Sequence, residues 1–138
     1  MNADIRTLVP HAGAMCLLER IVSANDTEIV CATFSHRSLT NPLRNDGRLA
    51  ALHLAEYGAQ TMAVHGGLQS VGEVARGGML VAIRDLQLRV ERLDDLAAEL
   101  QVRAVKLVAN AGGRIYSFSA RAGEAELASG RVSVMFVR

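Results

Sequence analysis

His53, Glu56 and Gln60 stand three and four residues apart in a stretch otherwise rich in leucine, alanine, methionine and valine. On an α-helix that spacing places all three on one face. A carboxylate in apolar surroundings is costly to ionise, so it takes a partner or its pKa rises towards values that suit proton transfer. The chemistry on offer is general acid or base catalysis, with Glu56 as the proton-carrying group and His53 one turn away. A bland alternative uses the same residues: the stripe faces solvent, or Glu56 and His53 simply pair with each other.

The remaining reactive side chains read as structural. His11 sits beside Pro10 in a turn, His36 at a strand end, and His65 at a helix end near Gly66, where a cation suits the dipole. None has metal-ligand spacing. Cys16 and Cys31 lie in apolar stretches without a CxxC pattern and read as small core residues. Gly77–Gly78 lacks the lysine of a phosphate loop, and no serine or cysteine sits in a nucleophile elbow, so neither a metal nor a cofactor is expected.

The element that must carry the stripe runs from about Arg48 to His65, free of proline, with Asn45 or Asp46 available to cap its start and Gly66–Gly67 to stop it. Apolar or small residues occur nearly all round it, which predicts a helix buried on most sides. Before it, residues 14–22 and 27–35 read as two strands of a hairpin, and Arg37–Gly47 as a loop rich in turn-formers. After it, alternation predicts strands around 86–90, 100–104, 116–120 and 132–136, with a turn at Asn110–Gly113 and a weaker helical signal over 94–100. The expectation is a single α+β domain over residues 1–138, an antiparallel sheet of about five to six strands wrapped around one long helix. The exposed sheet edges of so small a unit predict a dimer.

Fifteen basic and fourteen acidic residues in 138 leave a formal net charge of +1 with no run of one sign, which argues against a nucleic-acid or membrane-surface partner. No segment has the look of a signal peptide or a membrane span, and a cytoplasmic location is expected.

Two motifs in order, Leu8–Val9–Pro10–His11 with the following Met15–Arg20 segment, and Glu56–Tyr57–Gly58–Ala59–Gln60, resemble the beta-hydroxyacyl-(acyl carrier protein) dehydratases. The C-terminal Ala128–Ser129–Gly130–Arg131–Val132 is similar to their divergent aryl-polyene-type branch. The resemblance implies a hotdog fold, with two chains forming acyl tunnels at their interface. Glu56 then falls on the family's catalytic acid, Gln60 on the glutamine that follows it, and the Ala51 N–H on the group that polarises the thioester carbonyl. The family's catalytic histidine falls on Pro42, with Asn41 beside it, and neither can abstract a proton. Those two positions would still line the substrate site, and His53 or His36 would have to serve as base.

Three readings follow. One is dehydration of 3-hydroxyacyl thioesters, linked to acyl carrier protein or coenzyme A, to trans-2-enoyl thioesters. A second is thioester hydrolysis, in which Glu56 activates a water and no histidine is required. The third is a non-catalytic acyl-binding protein or the partner subunit of a dehydratase heterodimer, a homodimer being the simpler expectation. Arg44, Arg48 and Arg76 could meet a carrier's phosphate, or be ordinary surface charges.

Overall fold

The computed structural model describes Ile5, residues 15–69 and residues 79–136. Within them the chain forms strands β1 (Arg20–Ala24) and β2 (Glu28–Thr33), helix α1 (Leu54–Gln69), and strands β3 (Met79–Leu88), β4 (Leu100–Asn110), β5 (Gly113–Ala122) and β6 (Ala125–Phe136). All neighbours pair antiparallel in one sheet of order β1-β2-β4-β5-β6-β3. The helix lies over β2, β4, β5 and β6, and the long alternating strands send Leu100, Val102, Ala104, Tyr116, Phe118 and Val132 under it.

Two glycines set how closely helix and sheet approach. A Cβ at Gly58 would stand 2.6 Å from the Phe118 ring and one at Gly130 would stand 2.9 Å from it, so the ring fills the space two missing side chains leave. The β4–β5 connection is the two-residue turn expected at Asn110–Gly113, closed by Asn110 Oδ1 accepting from the N–H groups of Gly112 and Gly113.

Five expectations need correction. The first strand begins at Arg20 rather than near residue 14, because the backbone ahead of it is spoken for by side chains: the Leu17 N–H donates to Gln60 Oε1 and the Leu17 carbonyl accepts from Thr33 Oγ1. The helix begins later than Arg48. Leu49–Ala51 is extended and pairs with residues 91–93, through an Ala50–Arg92 bridge and a Leu93 N–H to Leu49 carbonyl bond, before a 3-10 turn at Ala51–His53 leads into α1. Asn45 and Asp46 therefore form a tight turn with Gly47, at φ of 52° and 75° for Asp46 and Gly47, and cap nothing on the helix. At the other end α1 runs past Gly66–Gly67 to Gln69, which is tied to the Asp26 carbonyl and to Lys106. Residues 94–100 make a turn and an extended stretch, not a helix. His11 and the Gly77–Gly78 turn lie outside the described residues.

Candidate active site

The start of α1 is held from two sides. Asp94 accepts from the Leu49 N–H at 2.8 Å and from Arg92, and these two bonds, Arg92 first, hold its carboxyl well below the usual carboxylate range. The Ala51 N–H, expected to face a thioester carbonyl, donates instead to the Glu91 carbonyl at 2.9 Å. It is committed because Ala51 still belongs to the strand-like pairing that precedes the helix. The Leu52 N–H follows directly, at a residue 57% exposed, and takes no part in that pairing.

Glu56 is half-buried and accepts a hydrogen bond from Gln60 Nε2 at 3.1 Å. Gln60 is buried and uses its whole amide: Nε2 also donates to the Met15 carbonyl at 2.6 Å, and Oε1 accepts from the Leu17 N–H at 2.9 Å. One side chain thus fixes the carboxylate and ties it to the segment before β1. His53 lies half-exposed in the 3-10 turn. Among the described residues no hydrogen bond or ion pair joins it to Glu56, whose carboxylate takes a hydrogen bond from Gln60.

Asn41 and Pro42 take different places. Pro42 is exposed in the loop. Asn41 is buried, 7% exposed, and organises the loop: Oδ1 accepts from the Leu43 N–H at 2.9 Å, while Nδ2 donates to the Ser35 carbonyl at 2.9 Å and to Tyr57 Oη at 3.2 Å. Tyr57 Oη also meets Ser35 Oγ at 2.8 Å. Burial raises the Tyr57 phenol above its ordinary value, so it keeps its proton. Ser35 and Asn41 form part of the wall of a cavity of about 460 Å³, bounded by residues 16–19 and 34–41. Its wall at Cys16–Leu17 is the segment that Gln60 grips.

His36 is fully buried, and its Nε2 donates to the Leu96 carbonyl at 2.9 Å, which disqualifies it as a replacement base. Arg44 is a strap, donating to the Gly47 and His36 carbonyls. Arg48 is exposed, and Arg76 lies outside the described residues. Cys31 is buried and its thiol is pushed up to about 12 by desolvation, as suits a core residue, whereas Cys16 is half-buried on the cavity wall. Among the described residues no three histidine, cysteine, aspartate or glutamate side chains gather as a metal ion would need, and no helix is long and apolar enough to cross a membrane.

Ser35 and Tyr57 escaped the sequence reading. The signal was there: a tyrosine in an apolar helix brings a hydroxyl that must find a partner when buried. Tyr57 directly follows Glu56.

A six-stranded antiparallel sheet around one long helix defines a hotdog fold, the fold of many proteins that act on acyl thioesters. The sequence sets its family as well. The model of the ApeP-like dehydratase family matches residues 3–137, and the chain belongs to that family. The dehydratase heterocomplex ApeI:P from Xenorhabdus doucetiae is similar over 100% of this chain and 93% of its own, with a TM-score of 0.86 at 20% identity. The phenylacetic acid degradation protein PaaI from Thermus thermophilus, in a mutant form, has a TM-score of 0.58 at 14% identity, covering 86% of this chain and 92% of its own. A hypothetical thioesterase from Streptococcus pneumoniae, solved with coenzyme A, has a TM-score of 0.56 at 15% identity, covering 86% and 84%. No curated protein sequence matches the chain.

Proposed function

We propose that this protein dehydrates 3-hydroxyacyl thioesters, carried on acyl carrier protein or coenzyme A, as one subunit of a dimeric dehydratase. The observation that carries the reading is Glu56: a half-buried carboxyl, fixed by Gln60, on the helix of a chain from a dehydratase family. In the reaction a base removes a proton from carbon 2, the carbon 2–carbon 3 double bond forms, and the carbon 3–oxygen bond breaks. Glu56 protonates the departing hydroxyl, which leaves as water. Of the histidines weighed for the base, His53 is the accessible one, and a partner subunit is the other source.

The edge of the sheet supports a partner. Val81, Ile83 and Leu88 of β3 pair with Val134, Val132 and Ala128, so they stand on the helix side of the sheet, yet they are 54%, 37% and 41% exposed. A second subunit laid along β3 would cover them and complete the edge. The similarity to a heterocomplex favours a non-identical partner over a second copy.

Thioester hydrolysis is the competing activity, favoured by the likeness to the pneumococcal thioesterase fold. Following enoyl product and free thiol together, from a 3-hydroxyacyl thioester, separates the two. Dehydration gives enoyl product without thiol. Glu56→Gln, which keeps shape and hydrogen bonding but exchanges no proton, should slow it about a hundredfold or more with the melting temperature nearly unchanged. Absence of either product from the chain, alone and with its co-purified partner, would leave the acyl-binding or partner-subunit reading.

A further inference from the structure

Hydrogen-bond accounting around Tyr57 leaves one proton without an acceptor. The Leu43 N–H can only donate, so the Asn41 atom that receives it is the oxygen, and the amide orientation follows. Both hydrogens of Asn41 Nδ2 are then used, on the Ser35 carbonyl and on Tyr57 Oη. Tyr57 Oη accepts from Asn41, and because the phenol is fully buried its own hydrogen needs an acceptor, which among the described residues is Ser35 Oγ at 2.8 Å. Ser35 Oγ accepts, so its own hydrogen has to point elsewhere.

The surroundings of Ser35 are equally fixed. Its N–H donates to Thr33 Oγ1 at 3.0 Å, and that hydroxyl donates onward to the Leu17 carbonyl at 2.7 Å. Among the described residues no acceptor remains for the Ser35 hydroxyl hydrogen, and the open direction is the cavity whose wall it forms. That cavity is mixed in character: Ser38, Thr40 and Asn41 line it together with Glu19 and Arg37, and so do Leu17 and Phe34. Carbon atoms of a ligand can meet the apolar part of such a lining. An oxygen atom gains a directed donor.

We propose that Ser35, oriented by the Asn41–Tyr57 chain, donates a hydrogen bond to the oxygen on carbon 3 of the acyl thioester and selects 3-hydroxyacyl substrates over saturated ones. The inference rests on the dehydratase reading. Under that reading the Leu52 N–H of the 3-10 turn serves the thioester carbonyl, whereas the cavity wall at Cys16–Leu17 is joined through Gln60 to Glu56, the group that must reach the carbon 3 oxygen. Ser35 touches substrate in this scheme, and Tyr57 and Asn41 position it.

The test measures binding without turnover, in Glu56→Gln protein with whatever subunit co-purifies, using 3-hydroxyacyl and saturated acyl thioesters of equal length. The parent should prefer the 3-hydroxyacyl ligand. Ser35→Ala should cut that preference about three- to tenfold, the worth of one ordinary hydrogen bond, while the saturated ligand binds as before. Tyr57→Phe should cut it by a similar or smaller factor, the double variant should lose no more than Ser35→Ala alone, and Ser35→Thr should restore it. A melting-temperature change with the preference intact would overturn the proposal and leave Ser35 a loop contact. So would equal weakening of both ligands, or a parent that does not discriminate. Because no turnover is read, failure here is distinct from failure of the dehydration assay.

Discussion

The chain has two tyrosines, Tyr57 on the helix and Tyr116 on the sheet beneath it, and both are buried with the hydroxyl hydrogen-bonded. Tyr116 on β5 meets His65 Nδ1 at 2.5 Å, and His65 Nε2 donates to the Asn25 carbonyl at 2.7 Å. The carbonyl fixes the tautomer, Tyr116 donates to the imidazole, and the path ends on backbone. Desolvation pushes the Tyr116 phenol up to about 12, so its proton stays in place. Tyr57 also sits in a short chain of donors, yet that chain ends on a serine hydroxyl at a cavity. One circuit is closed and serves to pin the β1–β2 turn and β5 to the helix. The other is open at one end. Burial and a raised phenol pKa look alike in the two; the destination of the last hydrogen separates structure from recognition.

Substitutions can break this contrast or sharpen it. Phe118→Ala should act on both circuits, because the ring packed against Gly58 and Gly130 sets the height of the helix above the sheet. A loss of about 3–5 kcal/mol in urea unfolding is expected, as for other buried aromatic truncations. Gly58→Ala should also destabilise, by about 1–3 kcal/mol, although alanine is the better helix former, because its Cβ would meet the ring at 2.6 Å. A gain in stability there would show that the ring moves easily.

Tyr116→Phe removes a donor and leaves His65 Nδ1 buried without one, which should cost about 1–3 kcal/mol with ligand preference per folded molecule unchanged. Tyr57→Phe should also cost stability, because it leaves a buried Asn41 Nδ2 hydrogen without its acceptor, but it should lower the ligand preference as well, which Tyr116→Phe does not. If Tyr116→Phe alters ligand preference as much, the contrast between the circuits fails.

The smallest effect expected is on pH dependence. His36, below the open circuit, has a pKa lowered from 6.5 chiefly by desolvation. The unfolded chain then binds the proton more readily than the folded one. The contribution to stability is complete above about pH 6.5 and diminishes as pH falls towards the lower folded value. Melting temperatures from pH 7.5 down to 5.5, spanning that value, should fall less steeply in His36→Gln than in the parent.

Local patterns carried most of the architecture. Alternation marked β4, β5 and β6, composition marked the helix, and Asn110–Gly113 marked its turn, because each depends on residues close together in the chain. That Glu56 and Gln60 share a face was legible for the same reason, helical spacing, although the partner the sequence offers Glu56 is His53 rather than Gln60. The limits of the helix were not, since Leu49–Ala51 is drawn into pairing with residues 91–93, and the Ala51 N–H is consumed there. Nor was the role of Asn41, whose neighbours Ser35 and Tyr57 come from a loop and a helix. Propensity and spacing act over a few residues, whereas the fate of a buried hydrogen-bonding group depends on which distant segments the sheet and helix bring against it, and only the folded chain decides that.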